Sequence, residues 1–161
     1  MRYLVLSVLA IFATSCSPST DAPAMGASTM VAAGGTETAD AVQSKLASLS
    51  ATIIGDDLHQ AVQVRVEGFR VEGDWAFIKV LPLTTSGQFI DFATTPYADD
   101  AADDMIDGHG TSYLLFQRKP KTGWSKVEYA LGPTDVAWEN WPEQFGFPAS
   151  LLEINQTSPK P

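Results

Sequence analysis

Val62-Gln63-Val64-Arg65-Val66-Glu67-Gly68-Phe69-Arg70-Val71-Glu72-Gly73-Asp74-Trp75-Ala76-Phe77-Ile78-Lys79-Val80-Leu81-Pro82 is the stretch that decides the fold. Its apolar residues recur with a period of two, the spacing of a strand with one buried face. Val62, Val64 and Val66 hold one phase, and Phe69 and Val71 hold the other. Gly73-Asp74, between Glu72 and Trp75, has the length and chemistry of a two-residue hairpin turn. Folding the stretch at that turn puts Phe69, Val71, Ala76, Ile78 and Val80 on one face. The three valines join them only if one extra residue sits opposite Lys79, a bulge that Gly68 makes easy. Trp75, Phe77 and Leu81 then point to the reverse face, which also needs a cover. Pro82 is expected to end the strand.

Moving toward the C-terminus, Gln88 to Phe92 offers a short strand. Thr95-Pro96 opens a helix with proline in its first turn, and Ala98, Ala101, Ala102, Met105 and Ile106 form its apolar stripe. A second hairpin follows, with Lys119-Pro120-Lys121-Thr122-Gly123 as its loop and Arg118 opposite Trp124. Its alternation assigns Tyr113, Leu115, Val127, Tyr129 and Leu131 to one face and Leu114 and Phe116 to the other. Beyond it, Gly132-Pro133-Thr134-Asp135 turns toward a short helix, and Trp138, Trp141, Phe145 and Phe147 follow within ten residues. This aromatic segment is the candidate cover for one sheet face. Toward the N-terminus, Asp40 and Gln43 are spaced as a capping pair. Val42, Leu46, Leu49 and Ile53 form an apolar stripe that ends near Gly55, with Lys45, Ser48 and Thr52 on the wet face. The class is therefore α+β: an N-terminal helix packed on a curved, mostly antiparallel sheet of about four or five strands, closed by a C-terminal aromatic segment.

Residues 1–15 combine Arg2, a short apolar run and the small residues Ala13-Thr14-Ser15, the pattern of a cleaved secretory signal. Cys16, the chain's one cysteine, follows directly. Ala13-Thr14-Ser15-Cys16 resembles the lipobox of bacterial lipoproteins, with Ala13 where that family most often has Leu. The resemblance implies removal of residues 1–15, acylation of Cys16 and a membrane anchor. Two or more chains hold stably, since each buried methylene contributes about 0.8 kcal/mol. Ser17 stands where Asp would signal inner-membrane retention, so the implied location is the outer membrane facing the periplasm. Residues 16–37 are rich in Ser, Thr, Ala, Gly and Pro and read as a flexible linker behind the lipidated cysteine. Residues 38–154 are one domain, and residues 155–161 a disordered tail. Within 68–152, Gly73-Asp74-Trp75-Ala76-Phe77, Leu114-Leu115 with Gly123-Trp124, and Gly132-Pro133-Thr134-Asp135-Val136-Ala137-Trp138 are similar to segments of small secreted bacterial proteins of unassigned function.

The whole chain carries 10 basic and 19 acidic residues, and loss of Arg2 leaves 9 against 19, or −10. That balance disfavours nucleic acid as a partner and leaves a cationic partner open. One cysteine supports no disulfide framework, so packing alone must stabilise the domain. Asp99, Asp100, Asp103, Asp104 and Asp107 have the oxygen density of a calcium site, but Met105 interrupts the required spacing, and they read as a solvated helix face. His59 and His109 have neither the spacing nor the cysteine partners of a zinc site, so no metal or cofactor is implied. Trp75, Trp138, Trp141 and Asp135 are the candidate binding residues, since indoles beside a carboxylate suit a sugar or peptide. The competing readings are a core staple for the indoles and a helix cap at Thr134 or Asp135.

The function expected first is a lipid-anchored, non-catalytic envelope protein that binds an envelope protein or cell-wall polymer. The alternatives are an acidic inhibitor or immunity protein docking a cationic toxin or wall hydrolase through residues 99–107, and a cryptic hydrolase using His109 with Asp107 or Asp135.

Overall fold

The structure, a computed structural model, describes residues 37–154. Cys16, the signal at 1–15, the linker up to residue 36 and the tail at 155–161 lie outside the described residues.

Helix α1 (Ala39–Leu58) starts at Thr38, whose hydroxyl accepts from the Ala41 amide at 3.3 Å. Asp40, expected to cap, instead lies in the first turn, where its charge complements the helix dipole. The buried stripe is Val42, Leu46, Ser50, Ile54 and Leu58, with Leu49 and Ile53 half-buried beside it. Ser50 sits at the buried centre because its hydroxyl donates to the Leu46 carbonyl at 2.8 Å. The helix also runs past Gly55 to a left-handed cap at His59 (φ 54°). Gly55 serves the turn instead of ending the helix: a Cβ there would lie 2.9 Å from the Gln60 carbonyl oxygen.

Four antiparallel strands in sequential order form the sheet: β1 (Val62–Glu72), β2 (Trp75–Thr84), β3 (Ser112–Lys119) and β4 (Gly123–Ala130). The first hairpin has the expected register, with Glu72 opposite Trp75 and Gly73 at φ 60°. The bulge is present as well. Val66 pairs with Val80 and Gly68 with Lys79, leaving Glu67 as the extra residue. Val62, Val64, Val66 and Phe69 consequently pack on the same side as α1.

Four local expectations are corrected. Strand β2 continues through Pro82, because β3 pairing ends at Val80 with Ser112 and no β3 carbonyl is left waiting for the missing amide. Instead of a strand at residues 88–92, the structure has a single bridge, Leu83 to Phe89, and a 3-10 turn at Phe92–Thr94. Helix α2 covers only Ala98–Ala102. Carboxylates at Asp103 and Asp104 oppose the negative end of its dipole. Asp104 adopts φ 55°, and the Met105 amide bonds back to the Asp100 carbonyl at 2.8 Å, a Schellman-type stop. The fourth correction concerns the second hairpin. Arg118 does lie opposite Trp124, but Leu115 pairs with Glu128 and Phe116 with Lys126, so Val127 is bulged out. Tyr129 and Leu131 therefore join Leu114 and Phe116 on the α1 side, while Val127, Tyr113 and Leu115 stay on the reverse side.

The sheet thus has two cores. On one face Leu46 and Ile54 of α1 pack on Ile78, Val80, Leu114, Phe116 and Trp124. On the other face, the C-terminal segment with α3 (Trp141–Phe145) and a 3-10 turn at Ala149–Leu152 covers Phe77 and Leu115. The aromatic segment is the cover that face required. Ser150 fastens it to the first hairpin by donating to Glu72 Oε2 at 2.8 Å.

Candidate functional site

The tryptophans divide by burial. Trp141 is 6% exposed and meets Phe77 edge-on, with ring centroids 6.1 Å apart. Trp124, also 6% exposed, belongs to the core under α1, and its buried indole nitrogen has no hydrogen-bond partner among the described residues. Trp75 is half-buried and tilted on Phe147 at 5.4 Å. Trp138 is half-buried and stacks on Tyr113 at 3.6 Å, with the planes 24° apart. Phe77 lies beneath both, 6.2 Å from Tyr113 and 6.5 Å from Trp138. The Lys79 ammonium stands 5.9 Å from the Tyr113 ring centroid. The chain thus brings Tyr113 and Trp138 together as a stacked, partly solvent-facing pair, while Trp141 serves packing.

Asp135 is exposed. No helix begins at Thr134 or Asp135, so the capping expectation fails there: the next helix starts at Trp141, after turns in which Val136 accepts from the Glu139 amide and Trp138 from the Trp141 amide. Trp138 packs on Tyr113 and Phe77 in the intervening turns, and Pro142 sits in the first turn of the helix that follows.

A second cluster escaped the sequence reading. Tyr97 and Tyr129 both donate their hydroxyls to Asp57 Oδ2, joining the end of α1, the entry to α2, and β4. Burial, reinforced by the bond to Asp57, raises both phenol pKa values above the ordinary tyrosine value. Lys126 Nζ lies 4.8 Å from the Tyr129 ring centroid, and an open hollow of about 350 Å³ is bounded by Ile53, Asp56, Asp57, Lys126 and Tyr129. This arrangement can hold a carboxylate in place without a cation. The only advance signal was Tyr129 itself, and the bulge at Val127 had to be known to bring it round to Asp57.

His109 is exposed and stacks flat on Phe89, with centroids 3.9 Å apart and planes 8° apart. The hollow that includes Asp107 is lined by Asp91, Phe92, Asp104 and Ile106 among others, with neither His109 nor Asp135 in its wall. Among the described residues no group of three or more His, Cys, Asp or Glu is placed to hold a metal ion, and no helix is long and apolar enough to cross a membrane.

Comparison with protein families, curated proteins and solved structures finds no match to this chain.

Proposed function

We propose that the protein is a lipid-anchored, non-catalytic component of the bacterial envelope, held through Cys16 and binding an envelope protein or cell-wall polymer through a rim centred on the stacked Tyr113–Trp138 pair, with Trp75 further along the same sheet face. The observation that carries this reading is the stacked Tyr113–Trp138 pair, left half-buried on a sheet face that is otherwise sealed by Trp141, Phe147 and Leu151. Partly exposed aromatic faces beside a polar group suit sugar rings and peptide side chains alike. Asp135, three residues before Trp138, is an exposed carboxylate for a hydroxyl or amine. Titrating the protein with solubilised cell-wall fragments and with envelope extract, while following tryptophan emission and co-sedimentation, tests it. Binding that is lost in Trp138→Ala and retained in Thr122→Ala supports the rim. Equal capture of both variants rejects it.

A second reading is supported by charge. No lysine or arginine occurs between Lys79 and Arg118, whereas Asp91, Asp99, Asp100, Asp103, Asp104 and Asp107 all lie there and are exposed. Such a segment favours a cationic partner, as in an inhibitor or immunity protein. Salt-sensitive binding of a basic wall hydrolase, abolished when Asp99, Asp100, Asp103 and Asp104 become Asn, distinguishes it from the aromatic rim.

A further inference from the structure

The outer edge of β1 is built to be paired. Among the described residues no strand lies beyond β1. Thr84, opposite Val62, spends its backbone groups on the far side of β2: its amide donates to Gln88 at 2.8 Å and its carbonyl accepts from Gly87 at 2.9 Å. Pro82, opposite Val64, has no amide to donate. By antiparallel alternation, the N–H and C=O groups of Val62, Val64 and Val66 therefore point outward, away from β2. The valine side chains face α1 but are only half-buried, as they would be in a layer lacking its next member.

The helix above this edge is trimmed to match. Ala47, Ser48 and Ala51 of α1 bound an open hollow of about 350 Å³ with Val62, Gln63 and Val64, and the trough continues past Ala51 toward Gly55. Small side chains at 47, 51 and 55, spaced by four, leave room for a close neighbour on this flank. Helix α1 packs chiefly on β1 and next on β2. With strands about 4.8 Å apart and α1 seated between β1 and β2, a twofold axis half a spacing outside β1 puts two α1 helices about 10 Å apart, within the range of packed helices.

We infer that the β1 edge pairs with the same edge of a second copy, joining two four-stranded sheets into one of eight strands with the α1 helices side by side. The register is self-complementary. The bulge at Glu67 and the seating of Ile154 within 3.0 Å of a Cβ position at Gly68 stop pairing there, so the usable edge runs from Val62 to Val66 and its centre is Val64. Antiparallel pairing about Val64 sets Val62 against Val66 of the second copy and Gln63 against Arg65, with no like charges opposed. Five residues per strand fall short of the roughly 1,200 Å² that a stable interface buries, so the α1 stripe is a necessary part of it.

Val64→Cys in the full chain tests the axis, because a residue on a twofold axis faces itself at a Cα separation of about 5.5 Å, within disulfide range. Under mild oxidation Val64→Cys forms a covalent dimer well above the background of the native chain and of Thr122→Cys at the exposed second hairpin. Adding Ala51→Glu, which places like charges across the axis on an accessible helix flank, abolishes it. Sedimentation equilibrium of the unmutated chain gives twice the chain mass, falling to the chain mass in Ala51→Glu with its circular dichroism retained. The inference is overturned if Val64→Cys crosslinks no more than Thr122→Cys, if the native chain sediments as a monomer, if Ala51→Glu leaves the dimer intact, or if Val64→Cys crosslinks to a different protein in place of itself.

Discussion

Replacing Trp141 and Trp138 separately by alanine measures how far the C-terminal segment belongs to the fold. Trp141 is almost fully buried against Phe77 and Leu115, whereas Trp138 lies half open on Tyr113. A buried tryptophan removes about 150–250 Å² from water, which at about 25 cal/mol per Å² corresponds to roughly 4–6 kcal/mol as an upper bound. Core Trp→Ala changes fall at about 3–5 kcal/mol, so about 4 kcal/mol is expected for Trp141→Ala, including its edge-to-face contact with Phe77. Trp138 keeps only part of its surface in water, more than Trp141 does, and should cost less, about 2 kcal/mol. Urea unfolding reads both: with a slope of about 2 kcal/mol per molar, the midpoints fall by roughly 2 M and 1 M.

The ratio carries the meaning. A protein of ordinary stability, about 5–15 kcal/mol, approaches its folding threshold in Trp141→Ala and survives Trp138→Ala, which leaves the latter usable for binding assays. An unchanged slope in both variants shows the segment unfolding together with the sheet. The reasoning is refuted if Trp141→Ala costs less than about 1 kcal/mol, a value typical of surface changes, or if Trp138→Ala costs more than Trp141→Ala.

Alkali should destabilise the domain through Asp57, Tyr97 and Tyr129. Both phenols have raised pKa values in the folded chain, so the unfolded chain releases these protons first, near pH 10. The stabilisation they contribute is complete below that pH and declines above it; urea midpoints at stepped pH should fall from about pH 10 upward, and less steeply in Tyr129→Phe. Gly110→Ala is expected to cost about 2–5 kcal/mol, because Gly110 has φ 69° and a Cβ there collides with the Phe92 ring. A thermal midpoint within a few degrees of the native chain would contradict that assignment.

What the sequence revealed and what it hid follow from the range of the physics involved. The register and bulge of the β1–β2 hairpin were legible, though not the strand's end, because Gly73-Asp74 fixes the turn locally and the valine phase slip is visible at Glu67-Gly68. The second bulge was not, because Ser125-Lys126-Val127-Glu128-Tyr129 alternates without a slip and contains no glycine. Its register depends on cross-strand packing, with Val127 falling to the C-terminal core and Tyr129 to the helical one. That one unread residue concealed the Asp57 cluster altogether. The short α2 was missed for a different reason: an alanine stripe signals a helix, but it offers too little apolar area to hold the last turn against two carboxylates at its negative end. Among the candidate binding residues, sequence proximity grouped Trp138 with Trp141, and only the fold separates a packing side chain from a partly open one.

The two bulges also explain why the open surfaces are where they are. Each lies in an edge strand, one at Glu67 in β1 and one at Val127 in β4, while β2 and β3 pair without a shift from Trp75 with Gln117 to Val80 with Ser112. A bulge leaves a backbone unit unpaired and increases local twist, which spoils an edge as a template for further strands. In β4 it falls near the middle of an eight-residue strand and interrupts the whole edge. In β1 it falls late, leaving Val62 to Val66 regular beneath the small-residue flank of α1. The same device therefore closes one side of the sheet to strand pairing and confines pairing on the other side to five residues. Trp75, Tyr113 and Trp138, carried by β2, β3 and the C-terminal cover, lie on neither edge strand, so self-pairing through β1 leaves those residues out of the strand contact.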